Sequence, residues 1–223
     1  MSDKASLLVA WSSGKDSAWS LHFLRRQKDV EVVGLLTTVN EAADRVAMHA
    51  VRRELLEAQA EAVGLPLSIV AIPHPCPNAV YERAMAGALE DARGRGVSGV
   101  AFGDLFLEDV RRYREDRLKE TGITPYFPLW GRPTHALVRE MIAAGVRARL
   151  TCVDPRSLPA SFVGRELDED LLRSLPSGVD PCGENGEFHT FVWDGPMFER
   201  AVPVKTGEVV EREGFVFVDL CPA

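Results

Sequence analysis

The sequence predicts an α/β fold in which a parallel sheet carries helices on both faces, followed by a smaller C-terminal α+β domain. Two observations lead to this prediction. Before residue 130, short apolar runs alternate with amphipathic stretches, which is the pattern of consecutive βαβ units. After residue 130 the alternation weakens, and strand-like segments follow one another. We therefore expect one domain at 1–130 and a second at 131–223.

The first part of the chain alternates predicted strands and helices. Apolar runs predict strands at 6–11, 31–38, 67–72, 99–103 and 126–130. Helical spacing of apolar residues predicts helices at 18–27, 48–63, 77–94 and 107–120. Gly64 and Pro66 end the second of these helices, because neither residue continues a helix well.

The second part is predicted to mix helices and strands without regular alternation. The same patterns predict a helix at 135–144, a strand at 147–153 and a short helix at 168–174. Strands and turns follow to residue 223. This order is typical of an α+β unit.

Composition excludes several classes of protein. With 26 basic and 33 acidic side chains the net charge is -7, which disfavours a binder of nucleic-acid backbones. The four cysteines form no C-x-x-C pair, so neither a zinc site nor a disulfide framework is expected. No apolar run approaches the roughly 20 residues that span a bilayer, and the first residues do not resemble a signal peptide. We expect a cytoplasmic protein with no membrane partner.

A polar segment, S-S-G-K-D-S at 12–17, links the first predicted strand to the first helix. Unpaired backbone N–H groups and the positive end of the helix dipole meet at such a junction, which suits it to phosphate. Gly14 allows a tight or left-handed turn, Lys15 adds a mobile cation, and Asp16 either caps the helix or approaches Mg²⁺. The hydroxyl donors are Ser12, Ser13 and Ser17. An ordinary capped helix with a solvated lysine is the alternative.

The spacing in this segment differs from two common phosphate-binding patterns. The Walker A loop requires G-x-x-x-x-G-K-[ST], and the Rossmann fold requires G-x-G-x-x-G after its first strand. Neither pattern follows the first predicted strand here. A P-loop or Rossmann nucleotide site is therefore disfavoured.

A second polar cluster, D-P-C-G-E-N-G-E-F-H-T, lies at 180–190. Gly183 and Gly186 indicate turns, and the acidic, amide, imidazole and hydroxyl groups between them suggest a site. A hairpin with solvated side chains is the alternative, since loops are usually polar.

Together the two segments resemble the diphthine–ammonia ligase family of N-type ATP pyrophosphatases. These PP-loop proteins have an adenine nucleotide alpha hydrolase-like (HUP) fold, and their motifs are usually S-G-G-x-D-S and E-G-G-E-F-E-T. The resemblance also includes 45–57, Gly103–Asp104 and 128–130. The chain departs from the family pattern at Ser13 and Asn185, where glycine is usual, and at His189, where glutamate is usual. We expect a bacterial-type member, and the sequence leaves open whether its acceptor is diphthine or a different substrate.

The resemblance implies an ATP-dependent ligase that forms AMP and pyrophosphate. A substrate carboxylate is activated as an acyl-adenylate, and ammonia then attacks it to give an amide. The implied cofactors are ATP and Mg²⁺, and the implied partners are ammonia and a carboxylate that is either a small molecule or borne by a protein. The sequence leaves a homodimer open.

The resemblance also implies roles for individual residues. ATP is expected to contact Ser12, Ser13, Gly14, Lys15, Asp16, Ser17, His49, Gly103 and Asp104. The acceptor is expected to contact Glu184, Asn185, Glu187, His189 and Thr190. The expected catalytic residues are Lys15, Asp16, Glu184 and Glu187. Glu187 is the preferred catalytic residue, and Asp16 is the expected metal ligand.

Several of these residues also have ordinary structural interpretations. His49, beside Met48, is equally consistent with a core or surface histidine, and Asp104 with a helix cap. Arg111, Arg112 and Arg114 lie on a strongly charged helix whose residues are usually solvated, so at most one or two should reach a ligand.

Two other functions remain open at this stage. A tRNA-modifying PP-loop enzyme is one, although its sulfur-transfer members generally use paired cysteines. A non-catalytic nucleotide-binding protein resembling universal stress proteins is the other, although their glycine-rich C-terminal phosphate motif is absent here.

Overall fold

The computed structural model describes residues 4–46 and 49–223 and contains two sheets. The N-terminal elements are β1 Ala5–Ala10, α1 Lys15–Leu24, β2 Val30–Asn40, β3 Arg45–Val46, α2 Arg53–Ala62, β4 Leu67–Ile72, α3 Asn78–Gly94, β5 Gly99–Ala101, α4 Glu108–Leu118 and β6 Thr124–Tyr126. The C-terminal elements are α5 Thr134–Ala143, β7 Arg147–Val153, α6 Glu169–Ser174, β8 Phe188–Asp194, β9 Val204–Arg212 and β10 Phe215–Pro222. A 3₁₀ turn at Ala160–Phe162 follows β7.

The first sheet has the strand order β3-β2-β1-β5-β6, and β4 also pairs with β2. All of its pairings are parallel except β2 with the short β3. The second sheet has the order β8-β7-β10-β9 and is antiparallel. The predicted fold class, an α/β fold followed by a smaller C-terminal α+β domain, is confirmed.

Helices cover both faces of the parallel sheet because successive side chains of a strand point to opposite faces. In β1, Leu7 and Val9 join a core that also contains Leu21 of α1 and Leu55 of α2. Leu8 faces the other way, into a separate core with residues of α3 and α4. The first core continues without interruption into the C-terminal sheet, so both sheets share one large apolar interior.

Two predicted elements differ most from the structure, and the first helix, predicted at 18–27, is Lys15–Leu24. The fifth strand is Thr124–Tyr126 and not 126–130, because a turn follows in which the N–H of Trp130 bonds the carbonyl of Phe127. The second helix begins at Arg53. Its predicted start, Met48, lies outside the described residues.

The segment before α2 is occupied by local pairing, which explains the late start of the helix. β3 pairs antiparallel with the end of β2, and Val46 donates to the carbonyl of Val51. Ala50 has a left-handed φ of 54°, which is incompatible with a continuing helix. Within the described residues, no helix is both long and apolar enough to cross a membrane.

Candidate active site

A cavity of about 390 Å³ opens at the carboxyl ends of β1, β2 and β5, where the loop before β8 meets the parallel sheet. Open α/β sheets bind ligands at this edge. Predicted residues from the N-terminal part that line it are Ser12, Gly14, Lys15, Asp16, Ser17, His49, Gly103 and Asp104. Predicted residues from the C-terminal part that line it are Glu184, His189 and Thr190. Segments more than 160 positions apart thus meet in one cavity, whereas Ser13, Asn185 and Glu187 do not line it.

The backbone at the start of α1 is open toward an anion. Gly14 is the N-cap residue and no side chain caps the helix, so Asp16 is not a capping residue. The amide of Lys15 donates to Thr190 Oγ1 at 3.1 Å. The first-turn amides of Asp16 and Ser17 have no acceptor inside the helix, as at every helix start. These amides, with the helix dipole, suit the cavity to phosphate.

The loop has its left-handed residue at Ser13, where φ is 69°, and Gly14 is extended with φ -89° and ψ 170°. The prediction that Gly14 provides a left-handed turn is therefore wrong. A left-handed residue other than glycine costs about 1–2 kcal/mol. Gly14 is a glycine because of crowding, since a Cβ there would lie 3.2 Å from His49 Cε1 and 3.3 Å from the Thr190 carbonyl oxygen.

Gly103 also permits a close approach. A Cβ at this position would lie 2.9 Å from the carbonyl carbon of Asp16 and 3.0 Å from the amide nitrogen of Ser17. Only a glycine lets the chain after β5 pack directly on the start of α1. The sequence indicated Gly103 as a ligand contact, and the structure also gives it this packing role.

Lys15 is buried, with 2% of its surface exposed, and its ammonium group is held by two oxygens. It donates to Asp16 Oδ2 at 2.7 Å and to the carbonyl of Cys182. Burial lowers the pKa of Lys15, but the charges of Asp16 and other neighbours outweigh burial and raise the pKa above its ordinary value. The lysine is therefore a fixed cation and not a mobile one in solvent.

Two histidines lie together beside the loop at 12–17. The rings of His49 and His189 are 4.5 Å apart, and Nδ1 of His49 is buried without a hydrogen-bond partner among the described residues. Burial lowers the pKa of His189 to about 4, and burial also lowers the pKa of His49 well below its ordinary value. Both imidazoles are therefore uncharged at neutral pH.

Asp104 and Arg114 form a bidentate ion pair at another part of the cavity wall. Arg114 Nε and Nη2 donate to the two carboxylate oxygens at 2.5 and 3.1 Å. Because the N-cap of α4 is Leu107, Asp104 is not a helix cap. Arg114 lines the cavity, while Arg111 packs over the rings of Phe127 and Trp130. Arg112 is exposed.

Glu184 is the acidic residue of the 180–187 loop whose side chain lines the cavity. Its Oε1 accepts the amide N–H of Leu105 at 2.6 Å. Burial raises the pKa of Glu184 to about 7, although this hydrogen bond acts in the opposite direction. Near pH 7 the group therefore exists as both carboxylate and carboxylic acid, which is the property of an effective general acid or base.

Glu187 has a different environment from Glu184. Its buried carboxylate accepts the amides of Asp180 and Asn185 at 2.9 and 3.0 Å, and also the Asn185 side chain at 3.0 Å. These contacts shape the loop from within. Asn185 itself is exposed and does not line the cavity.

Sequence reasoning missed several cavity residues. Thr37 and Thr38 line the cavity near the end of β2. Because parallel sheets bind ligands at their carboxyl edge, the position of these residues could have indicated them. Tyr81 and Met85 of α3 also line the cavity. Their spacing is that of any amphipathic helix, so no signal in the sequence indicated them.

A parallel sheet with an uncapped helix start at its carboxyl edge, beside fixed charges, defines an α/β protein built to bind an anionic ligand such as a nucleotide. Comparison with known families is more specific. Residues 5–125 match the model of the diphthamide synthase N-terminal domain, and residues 133–220 match that of the diphthamide synthase C-terminal domain. The chain belongs to the diphthamide synthase family, which confirms the resemblance seen in the sequence.

Curated relatives agree with this assignment. The chain is similar to diphthine–ammonia ligase of Homo sapiens, with 29% identity over 92% of this chain and 85% of that protein. The enzyme of the same name from Rattus norvegicus is 30% identical with the same coverage. That of Danio rerio is 30% identical over 89% of this chain and 86% of the relative. The named relatives are ligases, and the similarity extends over both sheets.

Proposed function

We propose that this protein is an ATP-dependent amide ligase. It cleaves ATP between the α and β phosphates, so that a substrate carboxylate becomes an acyl-adenylate and pyrophosphate leaves. Ammonia then attacks the acyl carbon, and the products are an amide and AMP. Residues 1–130 bind ATP, and residues 131–223 bind the acceptor. Family membership and the names of the relatives support the proposal.

One observation carries the proposal. The open start of α1, the buried cation of Lys15 and the carboxylate of Glu184 all face one cavity. The first two features suit the phosphates of a nucleotide, and the third suits proton transfer from an attacking amine. A site that only binds phosphate does not need such a carboxylate.

In the first step, the phosphate loop stabilises the leaving group. The amides of Asp16 and Ser17 and the ammonium of Lys15 hold the β and γ phosphates while negative charge builds on the bridging oxygen. Because Lys15 is already fixed by Asp16 and Cys182, it reorganises little when the charge develops. No protein nucleophile takes part, in agreement with burial that raises the pKa of the Cys182 thiol to about 12.

Asp16 is the side chain that fits Mg²⁺. Its Oδ1 is buried and has no hydrogen-bond partner among the described residues, while Oδ2 is bonded to Lys15. Mg²⁺ commonly binds one or two carboxylates together with substrate phosphates, so a single protein ligand is sufficient. The bound ion supplies positive charge to the phosphate oxygens. Within residues 4–46 and 49–223 there is no cluster of three or more metal-binding side chains.

In the second step, Glu184 accepts the proton that ammonia loses. The nitrogen forms a bond to the acyl carbon, the bond from that carbon to the AMP oxygen breaks, and a proton passes from nitrogen to the Glu184 carboxylate. The raised pKa of Glu184, about 7, matches this task near neutral pH. Glu187, the residue preferred from the sequence, is assigned to shaping the loop because its carboxylate is occupied by loop hydrogen bonds.

The acceptor bears a carboxylate and binds near His189, which lines the cavity. Diphthine is the acceptor in the names of the relatives, but His189 stands where the usual family motif has glutamate. The His189 imidazole is uncharged because burial lowers its pKa to about 4. We therefore infer that the acceptor is not bound through a negative charge at this position.

Product analysis tests the reaction. The full chain is incubated with Mg·ATP, ammonia and a panel of carboxylates, and AMP, pyrophosphate, ADP and phosphate are measured. We expect AMP and pyrophosphate in equal amounts with at least one carboxylate. Stoichiometric ADP would exclude cleavage between the α and β phosphates. ATP that binds and stays intact with every acceptor would indicate a nucleotide sensor.

A pair of lysine variants tests the phosphate loop. Lys15→Ala should weaken ATP binding or slow cleavage by about tenfold or more, since a charge-assisted contact to phosphate is lost. Lys119→Ala removes the same charge from the exposed end of α4 and should change neither ATP binding nor ATP cleavage. Unchanged affinity and turnover in Lys15→Ala would remove the loop from the mechanism.

A further inference from the structure

Gln59 is a completely buried amide on α2, with 0% of its surface exposed. Its helix neighbours in the core are apolar, so this polar group requires hydrogen-bond partners inside the protein. It has three. Trp11 Nε1 donates to its Oε1 at 2.9 Å, and its Nε2 donates to the carbonyl oxygens of Ser13 at 3.1 Å and Val192 at 2.5 Å.

These three partners belong to different parts of the fold. Trp11 follows β1, Ser13 is in the phosphate loop, and Val192 is in β8 of the second sheet. Both N–H donors and the acceptor oxygen of the Gln59 side chain are hydrogen-bonded. Gln59 therefore joins the loop to both sheets, through bonds that a hydrophobic residue of the same size would lack.

Ser13 is the residue of the loop that needs external support. Its φ of 69° is unfavourable for a residue with a Cβ, and its buried Oγ has no hydrogen-bond partner among the described residues. Its side chain thus gives no compensation. The support comes through its carbonyl, which accepts both the Gln59 amide and the N–H of Val192 at 3.0 Å.

We propose that Gln59 is a positioning residue that holds Ser13 in the left-handed conformation and so keeps the phosphate loop ready for ATP. The inference rests on the proposed function, because it assumes that the loop binds ATP. Ser13 directly precedes Gly14 and the first turn of α1, so its backbone direction sets where the following amides point. The bond to Val192 also ties the loop to the strand that carries His189 and Thr190.

The main test is Gln59→Met, which keeps the approximate size and removes the hydrogen bonds. We expect the Kd for ATP, measured by calorimetry, to rise about tenfold, the equivalent of about 1.4 kcal/mol. The KM for ATP should rise in parallel while kcat falls by less than about threefold, because Gln59 does not touch the reacting atoms. Gln27→Met makes the same chemical change at a partly exposed residue between α1 and β2 and should leave both values unchanged.

Rescue distinguishes positioning of Ser13 from a general loss of packing. Ser13→Gly in the Gln59→Met background should recover most of the lost affinity, since glycine adopts positive φ without the Cβ penalty. Ser13→Gly alone completes the double-mutant cycle. This substitution should improve ATP affinity more in the Gln59→Met background than in the parent protein. An affinity loss that Ser13→Gly does not relieve would overturn the inference.

Folding is checked by thermal melting of each variant. If Gln59→Met does not fold, Gln59→Asn replaces it, because the shorter amide cannot reach all three partners at once and the same criteria apply. A folded variant at position 59 whose Kd for ATP stays within about twofold of the parent contradicts the inference. A parent protein that does not bind ATP contradicts the proposed function instead, so the two failures are distinguishable.

Discussion

The 12–17 loop and the 180–187 loop face the same cavity but are held in different ways. The 12–17 loop has hydrogen bonds among Ser12, Gly14 and Ser17, but the carbonyl of Ser13 and the amide of Lys15 are held from outside, by Gln59, Val192 and the hydroxyl of Thr190. The 180–187 loop is held mainly from within. The carboxylates of Asp180 and Glu187 accept amides of the loop itself, including those of Cys182 and Glu184.

This difference separates binding from chemistry. A loop that depends on distant residues loses its shape when any one of them changes, so ATP affinity should respond to substitutions far away in the sequence. A loop held by its own Asp180 and Glu187 should keep its backbone when Glu184 is replaced by glutamine, whose side-chain oxygen can still accept the amide of Leu105. Substitutions in the two regions should therefore have different kinetic signatures.

The largest expected effect is that of Glu184→Gln on amide formation. The substitution preserves size and removes the proton acceptor, so turnover should fall by roughly a hundredfold or more, the usual scale for a positioned base. ATP affinity measured by calorimetry should change little, because the phosphate loop has its own supports. If turnover stays near that of the parent, the second step does not use Glu184.

A pH profile gives the next largest effect. Burial raises the pKa of Glu184 to about 7, and the proposed base is the deprotonated form, so the rate should rise as pH increases through this value. Between pH 6 and pH 8 the deprotonated fraction, and with it kcat, should increase about tenfold. The residual activity of Glu184→Gln should lack this rise; a variant that retains it would assign the titration to another group.

A several-fold effect on ATP affinity is expected from Thr190→Val. Valine keeps the shape but cannot accept the amide of Lys15, so an unpaired buried donor remains at the start of α1. A loss of about 1 kcal/mol would raise the Kd roughly fivefold. Thr151→Val is the matched control, since Thr151 is also buried in the second sheet but bonds the carbonyl of His189. If both substitutions raise the Kd for ATP equally, the bond from the Lys15 amide to Thr190 has no particular role in ATP binding.

The smallest effect on chemistry is expected from Glu187→Gln. An amide cannot accept all the hydrogen bonds that the buried carboxylate receives, so the free energy of unfolding should decrease by about 1–3 kcal/mol. Denaturant titration measures this change. Turnover per folded molecule should stay within about threefold of the parent. A hundredfold loss in a folded protein would instead return Glu187 to the catalytic role that the sequence suggested.

Much of the fold followed from local patterns in the sequence. The strands at 67–72 and 147–153 have the predicted bounds, because continuous apolar runs between turn residues leave few alternatives. The order of the predicted strands and helices, the position of the 12–17 loop between β1 and α1, and the family also followed. β3 has only two residues, too few to show a strand pattern, and the bounds of β6 depend on its pairing with β5, which the local pattern does not reveal.

The site was only partly determined by the sequence. Motif spacing indicated which residue types would meet, but Glu184 and Glu187 belong to one motif and the pattern does not distinguish them. Their difference arises because Glu184 reaches the amide of Leu105, after β5 of the parallel sheet, while Glu187 turns back into its own loop. The left-handed conformation of Ser13 and the three bonds of Gln59 likewise depend on distant residues. Short-range periodicity decides which elements form, whereas burial, pKa and hydrogen-bond partners exist only after elements far apart in the chain have packed together.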